Sequence, residues 1–210
     1  MAGSPKKDIP RPSSEQVTIY LKKWEQLDAY PEQEKALDKL FQEFCPKNEK
    51  IEDILLKSAT LNDFYSTNIF SVFSVAKHIL ELKIDARLSK KDLSLVDELQ
   101  NVNIQGKNHK FYSFASKYCS HHNPKNFPIY DNYVAKVLRH FRDVDKFIKR
   151  KDLKIYKNFV ETLDCFTKYY GLENFSRKEI DRYLWLLGKE NFQAQRAILI
   201  KKSNRTLINF

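Results

Sequence analysis

The sequence predicts an all-α, multi-helix single domain. Three observations predict it: only four glycines in 210 residues, helical spacing of apolar side chains along almost the whole chain, and no alternating run that reads as a strand. So few glycines leave little of the turn chemistry that an all-β domain needs. Hydrophobic residues make up 42% and charged residues 30%, the balance of a globular chain long enough to build its own core.

Residues 1–13 (MAGSPKKDIPRPS) are rich in proline and lysine and have no period, which predicts a disordered basic arm ahead of one domain over residues 14–210. Ser13 or Ser14 caps a first helix to about Asp28, with Val17, Tyr20, Leu21 and Trp24 on one face. Pro31 opens a second helix with the stripe Leu37, Leu40, Phe41, Phe44, and Pro46 ends it. Ile51, Ile54 and Leu55 mark a third. Asn68 leads a strongly amphipathic helix carrying Ile69, Val72, Phe73, Ala76, Ile79 and Leu80. Residues 91–101 read as a short helix, 101–108 as a polar connector holding Gly106, and 109–120 as a further helix. After a loop containing Pro124 and Pro128, Asp131 caps a helix with Val134, Val137, Leu138 and Phe141. Two more stripes follow, Leu153 to Tyr170 and Ile180 to Leu187, with Gly171 and Gly188 at C-cap spacing. The expected architecture is eight to ten helices.

Composition also excludes functions. No Gly-rich phosphate loop, G-x-S-x-G elbow or H-E-x-x-H helix is present. No apolar run approaches 18 residues, and the first 14 residues lack the apolar core of a secretory signal. Cys45, Cys119 and Cys165 are an odd, sparse set without metal-ligand spacing, and predict reduced thiols in a cytoplasmic protein.

The net charge of +10 is unevenly spread. Residues 13–100 hold 12 Lys/Arg against 16 Asp/Glu, and residues 101–160 hold 13 against 4. A basic second half on a mildly acidic first half predicts a face for a polyanion, with nucleic acid the leading candidate and a solvated lysine surface the alternative.

The densest chemistry lies in residues 109–134, HKFYSFASKYCSHHNPKNFPIYDNYV. A lysine-bearing helix is followed by a loop with two adjacent histidines and by Ile129-Tyr130-Asp131-Asn132-Tyr133-Val134-Ala135-Lys136-Val137. This layout resembles the active-site region of the helix-hairpin-helix DNA glycosylase superfamily. There a hairpin precedes a helix with a nucleophilic lysine, and an aspartate opens the next helix. The phrases Phe64-Tyr65-Ser66-Thr67-Asn68-Ile69, Ser113-Phe114-Ala115-Ser116-Lys117-Tyr118-Cys119 and Asp181-Arg182-Tyr183-Leu184-Trp185 are similar to its bacterial 8-oxoguanine glycosylase-fold branch, over roughly residues 34–190. The family hairpin carries two glycines; here its counterpart, residues 102–108, has only Gly106, so the resemblance implies a degenerate hairpin.

The resemblance implies DNA as partner, without cofactor or metal, and excision of a damaged purine such as 8-oxoguanine through a lysine Schiff base. Asp131 would assist, and Lys117 would be the nucleophile with Lys110 as its alternative. Both lysines are expected on one helix face, and Lys117 is favoured because an apolar setting lowers an amine's pKa. Gly106, Lys107, Lys125, Lys136, Arg139 and Arg142 are the expected DNA contacts. Asn68, Cys119, His121, His122 and Tyr130 are the expected base pocket. Adjacent histidines rarely share one metal ion, so His121, His122 and Cys119 are not read as a metal site. The alternative function is a non-catalytic helical module that keeps the fold and binds DNA or protein.

Overall fold

The structure, a computed structural model, describes residues 9–206, with side chains to residue 192. Ten α-helices and one two-stranded ribbon make up the described residues. They are α1 (Ser14–Glu25), α2 (Ala29–Lys39), α3 (Ile51–Tyr65), α4 (Val72–Leu82), α5 (Asp85–Ser89), α6 (Ser94–Leu99), β1 (Asn101–Ile104), β2 (Lys107–Lys110), α7 (Tyr112–His122), α8 (Asn132–Asp145), α9 (Tyr156–Tyr169) and α10 (Arg177–Thr206). The multi-helix expectation holds.

Local chemistry sets the helix starts. The Ser13 side chain accepts the Gln16 N–H at 3.2 Å, and Asp131 accepts the Tyr133 N–H at 2.8 Å, each satisfying a first-turn donor. α2 ends in a π-helical turn, Leu40–Phe44, before Pro46. α7 is the central helix, with every residue from Phe114 to His121 buried. A lysine in such a helix is therefore held inside the protein rather than in water.

The strand-free expectation is corrected by the ribbon β1–β2. Its antiparallel register pairs Asn101 with Lys110, Val102 with His109 and Ile104 with Lys107. Val102 and Ile104 are buried between exposed neighbours, but two apolar residues are too short an alternation to stand out from a polar connector. Gln105 and Gly106 make the turn, both at positive φ (51° and 79°), the combination a two-residue hairpin requires. The helix expected from residue 109 begins at Tyr112, so Lys110 lies on β2 and shares no helix face with Lys117.

Asn68 does not lead a helix either. It sits at φ +59° in a turn ahead of α4, and the Asn62 side chain brackets that turn through the backbone of Ile69. Of the expected arm, residues 1–8 lie outside the described residues. Ile9 packs on the core, Pro12 is buried, and Arg11 pairs with Asp145 at 2.7 Å.

Gly171 follows α9 at φ +64°, as a C-cap glycine should. Gly188 instead lies within α10, against α8. A Cβ there would stand 2.7 Å from the Tyr133 Cβ and 2.8 Å from its carbonyl oxygen. The obstacle is backbone, so it cannot swing aside. Gly188→Ala is expected to destabilise the protein by roughly 1–3 kcal/mol, measured by urea unfolding. A midpoint equal to wild type would mean that α8 and α10 separate without cost.

Candidate active site

A cavity of about 310 Å³ opens where α2, α3, α7, the start of α8 and α10 converge. That volume is at the lower end of the roughly 300–1,000 Å³ of small-ligand sites. Its walls combine aromatic rings with charged groups that face inward.

Lys117 comes from α7. Its side chain is 4% exposed, and its Nζ donates to Ser113 Oγ at 2.6 Å. The same Nζ lies 3.6 Å from Asp131 Oδ2 and 5.0 Å from the centre of the Tyr65 ring. Burial lowers the amine's pKa below the usual lysine value, while Asp131 and Asp181 pull against that shift. Asp131 stands at the α8 N-terminus. One carboxylate oxygen caps the helix and the other faces Lys117, so capping and site duties use different atoms.

Asp181, on the inner face of α10, completes the ionisable floor of the cavity. Burial pushes its carboxyl up to about 8; Lys117 opposes the rise, and Asp131 and Glu34 add to it. The native carboxyl therefore keeps a proton that the unfolded chain loses near the ordinary aspartate range. Stability from this group is present at acid pH and falls as pH rises from about 4 to about 8. Asp181→Asn is expected to melt roughly 10 °C or more above wild type at pH 8 and to match it near pH 4, by scanning calorimetry. An equal gain at both pH values would mean that titration of Asp181 is not the cause.

A second chain of polar groups lines the wall. His121 Nδ1 lies 3.5 Å from Asp38 Oδ1, and Nε2 lies 3.1 Å from the Tyr65 hydroxyl. With the ring proton on Nδ1 facing Asp38, Nε2 accepts the Tyr65 O–H. Burial raises the Asp38 carboxyl, but hydrogen bonds from His121 and Lys178 outweigh it and hold the pKa below the usual value. Glu34 binds Arg182 at 2.6 Å and Lys178 at 2.9 Å, tying α2 to α10 across the cavity. Trp24, Tyr30 and Trp185 form the aromatic side, with ring centres 4.9–6.0 Å apart.

The expected site residues separate into two groups. Lys117 and Asp131 are brought together, and His121 joins them on the wall. The rest of the expected base pocket is corrected. Cys119 is fully buried in the core, and burial raises its thiol far above the usual range. Tyr130 packs against Tyr112, ring centres 4.2 Å apart and tilted by 36°, and does not line the cavity. Asn68 is exposed in its turn, while its neighbour Ser66 reaches the cavity. His122 points the other way, to Lys57 and Asn48, each at 3.2 Å. For Cys119 and His122 the reason is that neighbours in sequence on a helix face different directions.

Among the expected DNA contacts, Gly106, Lys107, Lys125 and Lys136 are exposed, and Arg139 is half-buried. Arg142 is buried, pairing with Asp143 and donating to the Lys151 carbonyl, so it is not a phosphate contact. Asp181, Glu34, Asp38, Tyr65 and Trp185 were assigned no role from sequence. The available signal was Asp181 within the apolar stripe of Ile180, Tyr183 and Leu184.

A family model for an N-terminal domain, HI_0787_N, matches residues 16–126. An uncharacterized protein of Haemophilus influenzae is 55% identical over 145 residues, covering 68% of this chain and 69% of the relative. The chain belongs to the HI_0787_N family. No solved structure matches it. The HI_0787_N match takes in α1 to α7, and so includes Lys117, Tyr65 and His121, but ends before Asp131 and α10. The cavity of this HI_0787_N protein is thus closed by elements from within and beyond the matched span. Among the described residues no helix is long and apolar enough to cross a membrane. Nor does any group of three or more His, Cys, Asp or Glu among them form a metal-binding cluster.

Proposed function

We propose that the protein is a DNA glycosylase with AP lyase chemistry of the helix-hairpin-helix kind, acting on a damaged purine such as 8-oxoguanine. The observation that carries the reading is the buried Lys117 amine 3.6 Å from the Asp131 carboxylate, inside a cavity with an aromatic side. A lysine is seldom held in the core without a task or a full set of partners.

In this reading the target nucleotide is flipped into the cavity and its base packs against the Trp24, Tyr30 and Trp185 side. Asp131 stabilises positive charge developing at the sugar C1′. The neutral Lys117 amine forms an Nζ–C1′ bond as the C1′–N bond to the base breaks, and the bonding pair leaves with the base. Asp181, protonated at neutral pH, is a hydrogen-bond donor for that departing base. Proton loss from Nζ and opening of the sugar ring give the Schiff base, from which β-elimination cleaves the strand. The basic balance of residues 101–160 suits a DNA backbone.

The test is borohydride reduction of the protein mixed with duplexes carrying 8-oxoguanine, an abasic site, uracil or no lesion. A covalent band with the 8-oxoguanine duplex is expected. No band with a folded protein on any duplex would overturn the lyase mechanism and leave a binding module.

A further inference from the structure

An aromatic patch stands outside the cavity, at the edge of the ribbon. Phe70 is 68% exposed, the second most exposed of the large hydrophobic residues among the described residues, and Phe73 nearby on α4 is 61% exposed. The Phe70 ring lies 5.0 Å from the His109 ring, nearly perpendicular to it. His109 and Phe111 are close to parallel, 12° apart with centres at 6.0 Å, and Phe70 is 6.3 Å from Phe111. Three rings thus gather where the turn before α4 meets β2.

The patch is fixed in place rather than loosely exposed. Asn62 holds both the N–H and the C=O of Ile69, the residue before Phe70. The Phe111 N–H donates to the Gln100 carbonyl at 2.8 Å, and His109 is paired with Val102 in the ribbon. Along the chain, both ends lead toward segments that contribute to the cavity. Phe70 follows the cavity residues Tyr65 and Ser66 by a few positions, and Phe111 immediately precedes α7, which carries Ser113 and Lys117.

Its charge surroundings name the partner. No carboxylate occurs between Glu98 and Asp131 in the sequence. Lys107 and Lys110 are exposed on the ribbon, and neither has an ion pair among the described residues. Flat rings within a field of unpaired lysines suit a polyanion that itself carries flat rings. An apolar protein partner would make no use of the cations, and an acidic peptide little use of the rings.

We infer that Phe70, His109 and Phe111 form a platform, separate from the cavity, on which an unpaired base of a nucleic-acid strand stacks, while Lys107 and Lys110 hold its phosphates. The inference rests on the nucleic-acid reading above and adds a second contact surface to it. A stacked base also offers a reason for the exposure of Phe70: its ring face is kept free for a partner.

The experiment uses the full chain and single-stranded DNA containing 5-iodouracil, with affinity measured by fluorescence anisotropy over a salt series. Phe70→Ala is expected to weaken binding roughly tenfold with an unchanged salt slope, since it removes stacking and no charge. Lys107→Ala with Lys110→Ala is expected to flatten the slope of log K against log salt by about 1.4, the value for two single-strand phosphate contacts. Ultraviolet cross-linking is expected to place the iodouracil adduct on Phe70, His109 or Phe111. His109→Ala serves as a second variant, and melting curves check that each variant is folded. If wild type binds DNA and Phe70→Ala and His109→Ala bind as well as it does, the platform is wrong and the glycosylase reading stands. If wild type binds no DNA at any salt concentration, both fall. Trapping of 8-oxoguanine duplex by wild type and Phe70→Ala alike, without an adduct on the three rings, would also remove the platform alone.

Discussion

If the protein is the lysine-dependent glycosylase proposed above, Lys117→Ala is expected to abolish borohydride trapping and to lower single-turnover base excision by at least about 10³-fold, the scale for loss of a covalent nucleophile. Lys110→Ala is expected to leave the trapped band in place, because Lys110 lies exposed on β2 rather than in the cavity. Asp131→Asn separates two roles of one residue. Asparagine caps a helix about as well as aspartate, so the melting temperature is expected to stay close to wild type, while loss of the charge facing Lys117 is expected to lower the rate of the proposed reaction. The pH profile has a definite sign. In the proposed mechanism the amine attacks when neutral, and burial lowers its pKa below the usual 10.5, so the rate is expected to rise with pH through an inflection below that value. A trapped adduct that persists in Lys117→Ala and maps to Lys110 would sink this assignment.

Lys57→Met has the largest expected effect on stability, about 3–5 kcal/mol by urea unfolding. Lys57 is fully buried, and its amine donates to the Cys45 carbonyl at 2.9 Å, the Lys47 carbonyl at 2.8 Å and Asn48 Oδ1 at 2.7 Å. These acceptors lie just after the π-helical turn, where the chain has left helical hydrogen bonding. Asn48 is also held by Asp85 and by the Tyr118 hydroxyl, so the amine anchors a network joining α3, α5 and α7. Methionine fills similar space but leaves the carbonyls without donors. Burial brings the Lys57 pKa down to about 8. The unfolded chain therefore binds more protons than the native one between about 8 and the ordinary 10.5, and this group makes stability rise with pH across that window. The rise disappears in Lys57→Met. A midpoint within about 1 kcal/mol of wild type would show that water replaces the amine without difficulty.

Lys57 also shows where sequence reading stops. It belongs to the α3 face of Ile54, Lys57, Ser58 and Leu61, the i, i+3, i+4, i+7 positions of a buried stripe. The spacing places it toward the core. Its partners come from a loop about ten residues earlier and from α7, and no local pattern names them. Lys117 was more legible, because apolar and small residues surround it on every side of one short helix. Asp131 was legible as a cap, since capping is decided within three residues. The carboxylates of Glu34 and Asp38 were not, because each resembles an ordinary surface residue until α2 and α10 close over α7, and Asp181 gave only the hint of its place in an apolar stripe.

The hairpin is the instructive miss. Its turn needs only Gln105 and Gly106 at positive φ, and its burial rests on Val102 and Ile104, too little apolar alternation to register in a window. Gly188 misled in the opposite direction. A lone glycine near an apparent helix end reads as a cap, but here the helix continues and the missing side chain makes room for the Tyr133 backbone.

By itself the sequence determined that this protein is predominantly helical, where most of its helices start, that its charge gathers in its second half, and that Lys117 and Asp131 are its most chemically suggestive pair. These follow from periodicity, capping and composition, which act over a few residues. Only the tertiary structure decided that Lys117 and Asp131 meet, that His122 and Cys119 turn away while His121 turns in, and that Asp181 shares their cavity. Such facts depend on the angle at which one helix crosses another, and that angle is set by packing between residues far apart in the chain.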